Sequence, residues 1–84
     1  MTPEQCRAAR AWLDLRQDEL AKAAGVGVST LKDFESGKRK PVSNNLAAIR
    51  AELEKRGIGF VSQLEGESLV ACGITFTAPS AKSG

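Results

Sequence analysis

The sequence predicts a mainly α-helical protein in which four short helices are followed by a C-terminal β-hairpin. Up to residue 56, apolar residues recur three and four positions apart, which is typical of helices with one buried face. After Gly57 the apolar residues alternate with a period of two, which is typical of strands. The two patterns predict a helical domain over 1–56, a strand-forming tail over 57–77 and a disordered C-terminus over 78–84.

The first helix is predicted from Pro3 to about Leu13. Thr2 is a good N-cap, and proline is favoured at the first helical position because its missing N–H group is not needed there. Gln5 stands at the position that completes a capping box with Thr2. Cys6 begins the inward-facing spacing of this helix and is predicted to be a small, buried core residue.

The second helix is predicted over 17–24, and the third from Val28 to about Glu35. Gly25 readily adopts the left-handed conformation that ends many helices, so the second helix is expected to stop there. Only 25–27 separates the two helices. A connection this short that contains glycine forces the helices to cross steeply, as in a helix-turn-helix unit.

The fourth helix is predicted from about Asn44 to about Arg56, with an apolar stripe along one side. Ser43 is its predicted N-cap, since a serine side chain accepts a hydrogen bond from the first turn. The preceding segment 38–41 is predicted to be a basic turn, because a proline moves the residue before it out of the helical region.

The tail after Gly57 is predicted to form two strands, over 58–61 and 69–77, joined by a turn at 64–67. Cys72 is predicted to be a strand residue. An isolated hairpin is only marginally stable in water, so we expect these strands to pack or pair with something else.

The composition excludes several classes of function. The chain lacks histidine and tyrosine, so it lacks the commonest general acid–base group and the commonest transition-metal ligand. Two isolated cysteines do not make a zinc site. Because histidine and tyrosine are absent as well, we predict a protein that is not an enzyme and binds no metal or cofactor. No apolar run reaches the roughly 18 residues of a membrane span, and a secretory pattern is missing. We therefore expect a cytoplasmic protein with no membrane partner.

Charge is distributed unevenly along the chain. Residues 1–56 hold 11 of the 12 Lys and Arg residues and 8 of the 10 Asp and Glu residues. The helical part therefore carries a net charge of +3, and the tail is nearly uncharged at −1. This asymmetry predicts an electrostatic binding surface on the helices and a different role for the tail.

A longer pattern of spaced positions runs through the helical part. Its members are Gln17-Asp18-Glu19-Leu20-Ala21, Ala24-Gly25-Val26, Thr30-Leu31, Phe34-Glu35-Ser36-Gly37-Lys38-Arg39, Pro41, Leu46 and Ile49. This pattern resembles the Cro/phage-repressor type of helix-turn-helix domain, also called the Xre family. The resemblance covers about 6–56 and implies a four-helix, lambda-repressor-like fold that binds double-stranded DNA. Arg16 and Gly27 depart from it, because the family usually has capping residues there, and the tail replaces the family's usual fifth helix.

The third helix matches the recognition helix of the family. Its inward residues are expected to be Leu31 and Phe34, which leaves an apolar tip, a hydroxyl, a cation and a carboxylate on the outer face, all suited to base edges. The predicted base-contacting residues are Val28, Ser29, Lys32 and Asp33. The predicted phosphate-contacting residues are Arg16, Gln17, Thr30, Lys38, Arg39, Lys40 and Asn44. The resemblance also implies a structural ion pair between Arg10 and Glu35.

We expect a homodimeric repressor of transcription, because proteins of this type read two half-sites roughly 34 Å apart. The tail is predicted to build a sheet across the two-fold axis. The predicted dimerisation residues are Ile58, Phe60, Val61, Ile74 and Phe76. The alternative is an antitoxin or anti-defence regulator, whose tail captures a toxin-like partner protein by strand addition.

Overall fold

The computed structural model describes residues 1–65 and 68–77. The described chain is mainly helical and ends in a two-stranded antiparallel sheet, which confirms the predicted fold class. In chain order the elements are α1 (Pro3–Leu13), α2 (Gln17–Ala24), α3 (Val28–Glu35), α4 (Ser43–Lys55), β1 (Ile58–Glu65) and β2 (Ser68–Phe76). The disorder predicted for 78–84 falls outside the described residues.

Helix α1 has the predicted bounds and the predicted capping box. The hydroxyl of Thr2 accepts from the backbone N–H of Gln5 at 3.1 Å, and the side-chain oxygen of Gln5 accepts from the backbone N–H of Thr2 at 2.9 Å. The helix ends at Leu13, and the C-cap residue Asp14 is left-handed with φ 54°. Aspartate tolerates that conformation better than most residues other than glycine, because its short polar side chain can bond locally.

The connection between α2 and α3 forms as predicted. Gly25 is left-handed with φ 73°, and the backbone N–H of Val26 donates to the carbonyl of Ala21 at 2.9 Å. This bond closes the end of α2 in the manner of a Schellman motif. Gly27 then precedes α3 in an extended conformation, without a side-chain cap.

Helix α4 begins one residue earlier than predicted, and Ser43 is not its N-cap. Val42 is extended, with φ −61° and ψ 152°, and its carbonyl accepts from the backbone N–H groups of Asn45 and Leu46. Ser43 is therefore already inside the first turn, and the prediction of a serine cap was wrong. The helix ends at Lys55, followed by Gly57 with φ 100°.

The hairpin is longer than the sequence predicts. Ile58 pairs with Phe76, and at the other end Glu65 pairs with Ser68. The predicted turn over 64–67 was therefore too wide, because its first two residues continue β1. Between Val61 and Ser62 the register shifts by one residue, so the sheet contains a β-bulge that lengthens β2 relative to β1.

The core lies between the helices and the first residue of β1. Helix α2 packs against α3 and α4, α1 packs against α3 and β2, and α4 packs against β1. The buried apolar residues are Cys6, Ala9, Leu20, Ala21, Leu31, Phe34, Ile49, Leu53 and Ile58. Cys6 is thus the buried core residue that the sequence predicts, and Cys72 lies in a strand, as predicted.

Candidate nucleic-acid interface

The recognition-type helix α3 divides into an inner and an outer face. Leu31 and Phe34 are buried in the core. On the outer face Val28 is 39% exposed, and Ser29 and Lys32 are exposed too. Asp33 and Thr30 are half-buried along the sides of the helix. The four predicted base-contacting residues therefore lie along a surface that solvent reaches.

The end of α3 holds the chain that follows it close to the helix. The carbonyl of Asp33 accepts hydrogen bonds from the backbone N–H groups of Lys38 at 2.9 Å and Arg39 at 3.3 Å. The hydroxyl of Ser36 donates to the same carbonyl at 3.1 Å. Gly37 makes this fold-back possible with φ 76°, which a residue with a Cβ adopts only at a cost.

We call Lys38, Arg39 and Lys40 the basic loop. All three side chains are exposed, and within the described residues they form no ion pair. Three neighbouring cations without counter-charges make a locally positive surface beside the outer face of α3. Such a surface attracts a polyanion and releases its counterions on binding.

Asn44 is exposed at the second position of α4, directly after the basic loop. The first turn of α4 contains no acidic residue. Unpaired N–H groups and the helix dipole make such a terminus favourable for an anion. The start of α4 and the basic loop therefore both favour the binding of an anion.

The start of α2 differs from the start of α4. The guanidinium of Arg16 lies 3.1 Å from the carboxylate of Asp18 and 3.9 Å from that of Glu19. A hydrogen bond from Arg16 lowers the pKa of Asp18, and the same bond raises the pKa of Arg16. The carboxylate of Glu19 also accepts from the backbone N–H of Arg16 at 2.9 Å, so it provides one half of a capping box.

Gln17 is oriented toward the protein. Its side-chain nitrogen donates to the carboxylate of Glu35 at 3.0 Å. Of the predicted phosphate contacts, Arg16 and Gln17 therefore already have side-chain partners. The side chains of the basic loop and Asn44 have none within residues 1–65 and 68–77.

Glu35 is the centre of a buried polar cluster. Its side chain is almost inaccessible, and its carboxylate receives two hydrogen bonds of 2.6 Å from Arg10. The thiol of Cys6 donates at 3.1 Å, in addition to the bond from Gln17. Burial raises the pKa of Glu35, but the bonds from Arg10, Cys6 and Gln17 outweigh it and bring the pKa below its ordinary value.

The partners of Glu35 are held in fixed protonation states. Burial, together with the bond to the Glu35 carboxylate, raises the pKa of the Cys6 thiol far above its ordinary value. The same carboxylate raises the pKa of Arg10. Arg10 and Glu35, which the family resemblance pairs, are therefore in contact as a charged pair, and Cys6 remains a neutral thiol.

Three residues of α1 make contacts that were not predicted from the sequence. Arg7 donates from its guanidinium to the backbone carbonyl of Glu35, so two arginines of α1 hold the end of α3. Its spacing of three from Arg10 places both on one side of α1 and was the available signal. The others are Gln5 and Trp12, on the opposite side of α1.

Gln5 attaches α1 to the hairpin. Its side-chain nitrogen donates to the carbonyl of Val61 at 3.2 Å and to that of Gly73 at 2.8 Å. These two residues face each other next to the β-bulge, where the regular ladder is interrupted. Gln5 is buried, and each of its polar atoms has a partner.

Only part of the predicted dimerisation set is accessible. Ile58 is 3% exposed and packs in the core of the protomer, so it is not available to a second copy, contrary to the prediction. Phe60 is half-buried, with the guanidinium carbon of Arg50 5.0 Å from its ring centroid. Val61 and Ile74 are also half-buried. Phe76 is the predicted residue that remains exposed, at 37%.

Within the described residues, no helix is long and apolar enough to cross a membrane. The same part of the chain contains no cluster of three His, Cys, Asp or Glu residues that could hold a metal ion.

Comparison with known families agrees with this geometry. A helix-turn-helix family model matches residues 7–57, which include α2, α3, α4 and most of α1. No curated protein matches the chain. Because the family match covers more than half of the chain, the protein belongs to the Cro/phage-repressor (Xre) type of helix-turn-helix family and is a DNA-binding regulator of transcription.

Proposed function

We propose that this protein is a homodimeric repressor that binds a palindromic operator by inserting α3 into the major groove. The observation that carries the proposal is that the exposed basic loop is hydrogen-bonded to the end of α3, whose outer face is also exposed. The hydrogen bonds to the carbonyl of Asp33 fix the loop relative to the helix. One rigid surface therefore offers side chains for base edges and cations for the flanking phosphates.

The base-reading residues fit different groups on the base pairs. Val28 offers an apolar contact for a thymine methyl, and Ser29 offers a hydroxyl that suits several base edges. Lys32 suits the O6 and N7 acceptors of guanine, whereas Asp33 would accept from the N4 amine of cytosine. Asp33 is half-buried, so it is the least accessible of the four side chains.

Phosphate binding is supported mainly by the basic loop and by Asn44 at the start of α4. Thr30 is half-buried on the side of α3 and adds a hydroxyl. Arg16 is well exposed, and it would have to exchange Asp18 for a phosphate in order to contribute. We therefore expect Arg39 to contribute more to DNA affinity than Arg16.

The proposal is tested by selecting bound sequences from a random DNA pool and then measuring the affinity of variants for the selected operator. Lys32→Ala should cost about 1–3 kcal/mol and relax specificity at one base pair. Arg39→Ala should weaken binding to all sequences alike and reduce the slope of log affinity against log salt concentration by about one.

Lys55→Ala is the matched control, because it removes the same charge at the far end of α4, roughly 18 Å along the helix from Ser43. This variant should bind the operator like the unchanged protein. If Lys32→Ala and Arg39→Ala both bind like the control, the assigned surface is wrong. If no sequence is enriched from the pool, sequence-specific binding is wrong.

A further inference from the structure

An exposed aromatic patch lies where α1 meets the end of β2. The patch consists of Trp12, Ile74, Thr75 and Phe76, which line a shallow depression of about 220 Å³. Trp12 is 64% exposed and Phe76 37% exposed. Their ring centroids are 5.8 Å apart, with the ring planes tilted by 49°. We refer to these four residues as the aromatic patch.

The aromatic patch is held in place by the fold. Trp12 lies in the last turn of α1, and Phe76 pairs through its backbone with Ile58, which is part of the core. Tilted aromatic pairs at this distance attract each other beyond the area that they bury. The two rings therefore present a preformed apolar surface, and little side-chain freedom remains to be lost on binding.

The position of the aromatic patch leaves the DNA-facing surface free. On a helix, Trp12 stands about 200° around the axis from Arg10, so the two side chains lie on opposite sides of α1. Arg10 contacts Glu35 at the end of α3, whereas Trp12 contacts Phe76 of the hairpin. One side of α1 therefore holds α3, and the other side carries the patch.

Charge indicates which partner would cover the patch. In a two-fold symmetric contact the same surface meets itself, so a charged patch would face its own charge. The aromatic patch contains no charged residue, whereas the basic loop would repel its copy. Large aromatic side chains at the centre of a small interface also supply most of the binding energy. A second copy of this chain is thus a partner of matching chemistry.

We propose that two copies of the chain associate through the aromatic patch across a two-fold axis. This inference rests on the proposed function, since it supplies the second recognition helix that a palindromic operator requires. Of the predicted dimerisation residues, the proposed contact keeps Ile74 and Phe76, and it adds Trp12 of α1.

The natural fluorescence of the protein gives the first test, because Trp12 is the only tryptophan. As the protein concentration rises through the range in which sedimentation detects dimers, the emission of Trp12 should shift to the blue and its quenching by acrylamide should fall. If dimers form without a change in Trp12 emission, the proposed contact is wrong. A protein that stays monomeric up to tens of micromolar also overturns it.

A pair of matched variants gives the second test. Trp12→Glu places a charge in the patch, and Val42→Glu makes the same change at a residue that is 65% exposed elsewhere. Both should keep the far-UV circular dichroism of the unchanged protein. Trp12→Glu should weaken self-association by at least about tenfold, whereas Val42→Glu should not. Equal dimerisation of the two variants overturns the inference.

DNA binding separates this inference from the proposed function. Trp12→Glu should bind a single half-site with unchanged affinity and should lose cooperative binding to the full operator. If Trp12→Glu remains dimeric while the unchanged protein binds its operator, the patch assignment fails and the proposed function stands. If the protein dimerises through Trp12 but binds no DNA sequence selectively, the proposed function fails and the interface stands.

Discussion

The carboxylate of Glu35 receives hydrogen bonds from Arg10, Cys6 and Gln17 in a site that is almost closed to water. A buried ion pair adds little net stability compared with apolar residues of the same size, but removing one partner leaves the other without compensation. Because Glu35 ends α3 and Arg10 belongs to α1, this cluster fixes the recognition-type helix against the rest of the domain.

We predict that Glu35→Gln destabilises the protein by about 3 kcal/mol at neutral pH, because Arg10 loses its counter-charge. The pKa of Glu35 is lowered by folding, so its contribution is present above the unfolded pKa of about 4.3 and is lost as the pH falls through the lower folded pKa. The difference between the two proteins should therefore shrink below about pH 4.

Urea unfolding at a series of pH values measures this difference. Glu54→Gln is a suitable control, because Glu54 forms an exposed ion pair with Arg50, and such pairs contribute little. A constant gap between Glu35→Gln and the unchanged protein from pH 7 to pH 3 would contradict the assigned role of the Glu35 charge.

Some contacts of single residues could be predicted from the sequence, and others could not. The family pattern pairs Arg10 with Glu35, and the spacing along α3 identifies its buried and exposed residues. The bonds from Gln5 to Val61 and Gly73 cross more than 50 positions of the chain, and no local pattern reports such a contact. The same holds for Trp12 and Phe76, which meet only because the hairpin folds back onto α1.

At the scale of elements, the bounds of the first three helices were predictable because the residues that start and stop them act locally. Thr2 and Gly25 bond to groups within a few residues of their own positions. The start of α4 was predicted one residue late, because the conformation of Val42 rather than the chemistry of Ser43 decides it. The length of β1 was underestimated because pairing resumes beyond the β-bulge, whereas β2 has the predicted length of nine residues and begins one position earlier.

The hairpin joins α4 through a close backbone approach at Gly57. A Cβ atom at this position would lie 2.2 Å from the carbonyl oxygen of Thr77, and the φ of 100° is unfavourable for any other residue. We predict that Gly57→Ala destabilises the protein by about 2–3 kcal/mol, because the backbone at residue 57 and the carbonyl of Thr77 must move apart.

Gly73→Ala is the matched control within the same hairpin. A Cβ atom at Gly73 would meet no atom within 4 Å, so this variant should change stability by no more than about 0.5 kcal/mol. Thermal unfolding of both variants measures the contrast. If they lose stability equally, the close approach at Gly57 does not limit how the hairpin docks.

At the scale of the whole molecule, α1 lies between α3 and the hairpin and packs against both. Arg7 and Arg10 hold α3 on one side, and Gln5 and Trp12 hold the hairpin on the other. In the proposed dimer, the distance between the two recognition helices would be set by these rigid contacts rather than by a flexible linker.

We predict that the proposed dimer is sensitive to the spacing of its operator. Inserting 5 base pairs between the half-sites turns one of them by about half a helical turn, so a rigid dimer cannot hold both. Affinity should fall at least about tenfold, toward that of one half-site. Gel shifts measure this loss, with the same insertion placed outside the operator as control. Unchanged affinity would indicate that each copy binds alone.

The attachment made by Gln5 has a consequence for how such a protein changes over generations. Gln5 holds the hairpin by two main-chain carbonyl oxygens, and every residue type has such a carbonyl. The attachment is therefore largely indifferent to the side chains on the outer surface of the hairpin. Substitutions on that surface should therefore leave the arrangement of the helices unchanged, while they alter the contacts available to the proposed dimer.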